Sequence, residues 1–213
     1  MSFSFRAISF GAMMPAIALI LGLAAPVMAQ DAPAPVAAPA LGYMALGPAD
    51  AKVTIVEYAS FTCPHCAAFH ANVFLDLKKD YIDTGKVRFE FREVYFDRYG
   101  LWATMMARCG GELRYFGIAD ILYTTQQEWA ASDDTAAVVE NLKRIGRTAG
   151  MDGALIDACM ADAAMAEALV AQYQENATRD AVEGTPTLLI NGEKHANMPY
   201  ADLKAIIDPL LAE

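Results

Sequence analysis

Two of the four cysteines in this 213-residue chain, Cys63 and Cys66, stand one helical turn apart with Pro64 and His65 between them. A sulfur pair at this spacing suits a metal knuckle, a covalent haem, a local bridge or a dithiol that exchanges electrons. A c-type haem needs His directly after the second cysteine, where Ala67 stands. Structural zinc needs four ligands; His70 offers a third, but Cys109, Cys159 and His195 are isolated and no second ligand pair follows. A bridge closing so short a loop restrains little unfolded-chain entropy, so it is a poor structural staple. Redox exchange accounts for more. If Cys63 precedes a helix, unpaired N–H groups and the macrodipole favour a negative sulfur there. His65 adds a donor, or when protonated a positive charge. Cys66, followed by Ala67, Ala68 and Phe69, is shielded. Cys63 is then the exposed nucleophile and Cys66 the residue that resolves its mixed disulfides. A Cys63 of lowered pKa is a good leaving group, which makes the protein an oxidant.

The elements that must hold this pair lie on either side of it. "KVTIVEYASF" carries the β-branched, apolar run of a buried strand. After it, Cys66, Phe69, Val73, Leu77 and Tyr81 recur at three- and four-residue steps, which predicts a helix with Pro64 in its first turn. Val87, Phe89 and Phe91 then alternate with charged residues, a strand with one buried face. Strand, helix, strand with short connections is a right-handed βαβ unit. From about Tyr99 to Asp180 the pattern is helical, broken at Gly110-Gly111, with capping oxygens at Ser132-Asp133-Asp134. So long a stretch without a strand is an inserted helical subdomain. Strand character returns at Thr187–Ile190, Asn191-Gly192 marks a hairpin, and a last helix places Leu203, Ile206, Ile207 and Leu211 inward.

Residues 1–29 have the layout of a signal peptide, with Arg6, an apolar run, and small residues at Val27 and Ala29 before polar Gln30. Cleavage is expected after Ala29; an uncleaved anchor is the competing reading. Export to the periplasm would put every cysteine in an oxidising compartment. The mature segment keeps 15 basic against 26 acidic residues, which argues against nucleic acid or anionic lipid as a partner. Residues 30–51 are rich in Pro and Ala and read as an extended lead rather than a packed element. Cys109 and Cys159, on separate predicted helices among Met105, Met106, Met160 and Met165, are expected to form a second disulfide rather than two buried thiols.

CPHC after a short strand, an exported chain, a helical insertion and Gly184-Thr185-Pro186 before a later strand together resemble the DsbA-like thiol–disulfide oxidoreductases of the thioredoxin superfamily, over about Ala51 to Leu211. The resemblance implies an α/β, thioredoxin-like fold from 52–98 and 181–213, with 99–180 as the inserted helical subdomain. It implies that Pro186 is cis and lies against Cys63 and Cys66, with the Thr185 backbone pairing to an extended client; the plainer reading is a trans proline opening an edge strand. Glu57 takes the place of a family acid buried under the active site, where it helps proton transfer; a solvated Glu at a sheet edge is the alternative. The chain departs from the family twice. His70 stands where a second acid is common, and Thr185 stands where oxidases often carry Val and isomerases Thr.

These residues lead to an expected monomeric periplasmic enzyme that donates its Cys63–Cys66 disulfide to exported proteins as they fold. A membrane partner would reoxidise it, and neither metal nor organic cofactor is required. A disulfide isomerase or reductase is the nearest rival. Such isomerases usually carry an N-terminal oligomerisation domain, for which Gln30–Ala51 is too short and too rich in Pro. A non-catalytic chaperone on the same scaffold is the third reading.

Overall fold

The computed structural model describes residues 41–212. The expected leader over 1–29, and the lead as far as residue 40, lie outside the described residues.

Alternation of branched and aromatic residues with polar ones produces two parallel strands, β2 (Val53–Ala59) and β3 (Val87–Glu93), in register from Val53 opposite Val87 to Ala59 opposite Glu93. The hairpin of β4 (Thr187–Ile190) and β5 (Glu193–Ala196) adds antiparallel to β2. Asn191 and Gly192 both take positive φ, 47° and 87°, as a two-residue hairpin turn requires. One strand escaped the sequence reading. Met44–Leu46, placed in the unpacked lead, forms β1 antiparallel to β3, with Met44 buried. Three residues carry no usable period, and the glycines around them read as loop. Gly47 is required there: at φ +79° its Cβ would lie 2.2 Å from the Val87 carbonyl oxygen. The sheet order is β1-β3-β2-β4-β5.

Between β2 and β3 the chain is helical from Pro64 to Ile82. It runs as α1 (Pro64–Phe69), a π-helical segment His70–Phe74, α2 (Leu75–Leu77), and a second π-helical segment Lys78–Ile82. Cys66, Phe69, Val73, Leu77 and Tyr81 are buried as the period predicts. His70 and Phe74 lie on the same helical face, and in the second π segment Ile82 is buried too, which a 3.6-residue count does not foresee. Val53, Ile55, Glu57 and Ala59 of β2 share the sheet face under this helix. The closing helix α9 (Tyr200–Ala212) buries Leu203 and Ile207, while Ile206 and Leu211 are half-buried against the same core.

The insertion comprises α3 (Arg98–Cys109), α4 (Glu112–Thr124), α5 (Gln126–Trp129), α6 (Thr135–Thr148), α7 (Gly153–Met160) and α8 (Ala163–Arg179). Asp97, Asp134, Asp152 and Asp162 cap four of these helices through their side chains. The insertion and the sheet share one hydrophobic core, in which Phe61, Phe91, Tyr115 and Tyr123 pack ring on ring. Cys109 and Cys159 form a disulfide that joins the end of α3 to α7, Cα atoms 6.1 Å apart. A buried ion pair provides the other anchor. Arg108 donates to both carboxylate oxygens of Glu93 at 2.7 Å and to the Gly42 carbonyl at 2.9 Å, while the Tyr115 hydroxyl donates to Glu93 at 2.8 Å. On the opposite sheet face, Tyr58 and Arg92 bond Asp180 just beyond α8.

Arg108→Met should destabilise the protein by about 3–5 kcal/mol in urea denaturation, because it leaves the Glu93 charge buried and unpaired. Adding Glu93→Leu to the same chain should recover much of that loss. A single variant within about 1 kcal/mol of the wild type would show that the pair does not anchor the insertion.

Candidate active site

Cys63 is the residue just before α1, in extended conformation at φ −82° and ψ 118°, and Pro64 occupies the first helical position, where its missing N–H leaves nothing unpaired. The Ser60 carbonyl accepts from the Cys63 N–H at 3.1 Å, closing a tight turn from β2 into the helix. Both cysteines are free thiols here. Cys66 is fully buried, and Cys63 is only 8% exposed. This corrects the expectation of an openly exposed nucleophile. The cause lies 122 residues along the chain: the Thr185 carbonyl sits 3.7 Å from Cys63 Sγ, in the loop formed by the cis Thr185-Pro186 peptide. The resemblance implied that this loop lies against the sulfurs; the local pattern did not show how far it would cover Cys63.

The two sulfurs are driven apart in acidity. The Cys66 thiol donates to Cys63, and with further help from the Thr185 side chain and the N–H groups of Cys66 and His65 this takes the Cys63 pKa down to about 5, against the opposing effect of burial. Cys66 is pushed far up by the same hydrogen bond, by burial and by the nearby Glu57 charge. Thr185 Oγ1 is buried with no hydrogen-bond partner among the described residues, and lies close enough to favour the anion at either sulfur.

The other predicted site residues fall into place unequally. His65 is exposed and its imidazole makes no hydrogen bond among the described residues; its contribution to Cys63 comes from its backbone N–H, not from the ring donor or charge expected of it. Glu57 is 3% exposed on β2, which is flanked on both sides by partners, so it is not at an edge. Burial first, and the Cys63 thiolate second, raise its carboxyl to about 8. His70 is buried, stacked on Phe74 and donating from Nε2 to Asp120 at 2.9 Å. Cys109 and Cys159 lie in their disulfide, apart from the exchanging pair.

Several residues here went unread in the sequence. Gln126 of α5, itself buried, donates from Nε2 to the carbonyls of Phe61 at 2.8 Å and Cys63 at 3.1 Å. The Tyr123 hydroxyl reaches the Ser60 carbonyl at 3.4 Å, and Thr62 donates to Asp97 at 2.7 Å. Polar residues inside a helical stretch carry no sign of the loop they will meet. Among the described residues no three His, Cys, Asp or Glu side chains converge as a metal-ligand group.

The Glu57 shift has a sign that can be checked. In the oxidised protein, burial keeps this carboxyl protonated while the unfolded chain ionises above pH 4.5. The unfolded state therefore binds fewer protons, so stability should fall as pH rises above 4.5. The slope should be at most about 1.4 kcal/mol per pH unit. Glu57→Gln should flatten this dependence in urea titrations of the oxidised protein. An unchanged profile would show that Glu57 ionises normally.

With the geometry established, comparison with known proteins is informative. The family model described as Thioredoxin matches residues 40–209. A protein of Rickettsia bellii, provisionally named protein-disulfide oxidoreductase, is 34% identical over 171 residues, covering 80% of this chain and 65% of that one. The chain thus spans somewhat under two thirds of the length of that curated relative. The crystal structure of α-DsbA1 from Wolbachia pipientis superposes with a TM-score of 0.75 at 27% identity, covering 80% of this chain and 91% of that one. A structure described as a protein-disulfide isomerase from Novosphingobium aromaticivorans gives 0.69 at 26% identity, with 81% and 98% covered. These likenesses agree with the sheet, helices and cysteine pair described above, and the chain belongs to the thioredoxin family.

Proposed function

We propose that the protein is a disulfide donor that oxidises pairs of client thiols in exported proteins. The observation that carries this reading is the divergence of the two sulfurs, with Cys63 acidic and Cys66 strongly basic. In the oxidised protein a client thiolate attacks Cys63 Sγ; the client–Cys63 bond forms, the Cys63–Cys66 bond breaks, and Cys66 leaves with the electron pair. Cys66 is buried and takes up a proton at once. Glu57, whose carboxyl is raised to about 8, is a nearby group still protonated at neutral pH and fitted to supply it. A second client thiolate then attacks the client sulfur of the mixed disulfide and expels Cys63 as a thiolate. Two client thiols have become a disulfide, and two electrons rest on the dithiol. An acidic leaving sulfur makes this last step favourable and the protein oxidising.

Clients would meet the enzyme where α1 and the segment after β5 enclose a groove of about 340 Å³ lined by Phe69, Val73, Met198 and Pro199. An apolar, shallow wall of this kind suits an unfolded segment better than one small molecule. The periplasm is the proposed compartment and a membrane protein the proposed reoxidant. Exchange between the two sulfurs and the client uses no metal or organic cofactor. Isomerase action is the second reading, favoured by Thr185 before the cis proline and by the likeness to the Novosphingobium isomerase.

Equilibration with glutathione should give a potential well above that of thioredoxins, which lie near about −270 mV. A value at or below that figure would sink the oxidase and favour a reductase. Cys66→Ser should accumulate mixed disulfides with reduced clients, and Cys63→Ser should trap none. Equal activity of Cys63→Ser and wild type would instead support a chaperone.

A further inference from the structure

We propose that Gln126, contributed by the insertion, is a positioning residue that holds the Cys63 peptide in the geometry that makes its sulfur acidic. This deepens the reading of Cys63 as the exchanging sulfur and rests on it. Gln126 is 4% exposed, and its Nε2 reaches two backbone carbonyls, Phe61 at 2.8 Å and Cys63 at 3.1 Å. Carbonyls only accept, so the group between them must be the NH2 end of the amide, with both hydrogens used.

The pairing matters because of what lies between the two carbonyls. The Phe61 carbonyl belongs to the peptide entering Thr62, and the Cys63 carbonyl to the peptide leaving Cys63 for Pro64. One planar amide therefore fixes both ends of the turn that aims Cys63 Sγ. The Cys63 carbonyl is also the acceptor for the N–H groups of Cys66 and Ala67, each at 3.1 Å. Holding that carbonyl fixes the first turn of α1, and with it the His65 and Cys66 N–H groups that favour the thiolate. Gln126 is itself held: Trp129, at the other end of α5, is fully buried and donates from Nε1 to the Leu122 carbonyl at 2.8 Å. Tyr123 adds a weaker contact at the Ser60 carbonyl. The insertion thus grips the backbone of the loop on both sides of Thr62. Without the amide, the Phe61 carbonyl is buried and unpaired, and the turn is free to relax or admit water.

Two variants of matched length test this: Gln126→Met, which has no donor, and Gln126→Glu, which offers one donor while its carboxyl is protonated. The readout is the pH titration of the Cys63 thiolate by ultraviolet absorbance and by alkylation rate, with circular dichroism as the check on folding. In Gln126→Met the midpoint should rise by about one unit, which lowers the thiolate fraction on the acid side about tenfold. Gln126→Glu should fall between Met and wild type. A folded variant that titrates like the wild type overturns the proposal. So does failure of both variants to fold, since Gln126 would then be part of the scaffold alone. A wild-type Cys63 that titrates as an ordinary thiol would instead overturn the functional reading, an outcome separate from any difference between variants.

Discussion

An anion kept almost out of water is the constraint around which this molecule is arranged. Cys63 is 8% exposed, and burial alone would raise its pKa. The anion persists only because donors replace the lost hydration: the Cys66 thiol first, then the Thr185 side chain and two backbone N–H groups. They come from two separate pieces of chain, the first turn of α1 and the loop before β4. The N–H groups require the first turn of α1, Thr185 requires the cis peptide before β4, and Cys66 requires one turn of helix between the sulfurs. Strand order β3-β2-β4 serves that convergence, since it sets the end of β2 and the start of β4 side by side.

The insertion belongs to the same arrangement. Its helices are joined to β3 by the Glu93–Arg108–Tyr115 network and to one another by the Cys109–Cys159 disulfide. The network fixes α3 and α4 while the disulfide ties α3 to α7, and α4 leads directly into α5 and Gln126. A helical insertion that only covered the sheet would need apolar contact alone. Here it also supplies hydrogen-bond donors to three successive points of the active-site loop, the carbonyls of Ser60, Phe61 and Cys63. Backbone carbonyls near an anion are repulsive unless something holds them turned away, and donors from behind achieve that.

What could be read from the sequence was whatever local chemistry determines. The period over Cys66 to Tyr81, the alternation in β3, the Gly110-Gly111 break and the Asn191-Gly192 turn all follow from residue type and spacing. Four features did not. β1 is three residues long and is stabilised by pairing with β3, not by its own pattern. The π turns change the helical count, and Ile82 is buried off the predicted face, without any marker residue. Cover on Cys63 from Thr185, far along the chain, followed only from the resemblance and not from local chemistry. Glu57 left two readings open because a single Glu in an apolar strand looks the same at an edge and at the centre; only the pairing of β2 on both sides decides between them.

Glu57 and Cys63 also set what the position of His70 can hold. A carboxylate at that buried position would face Tyr123, itself buried beside Glu57, Cys66 and Cys63. Such a charge would disfavour the anion at Cys63. An imidazole stacked on Phe74 and Tyr123 fills the same volume, and its one polar contact points away, to the exposed Asp120. The negative charge is thereby moved from the protein interior to its surface. The departure from the family pattern thus leaves the divergence of the two sulfurs intact, because what the site needs from that position is shape without an added buried charge.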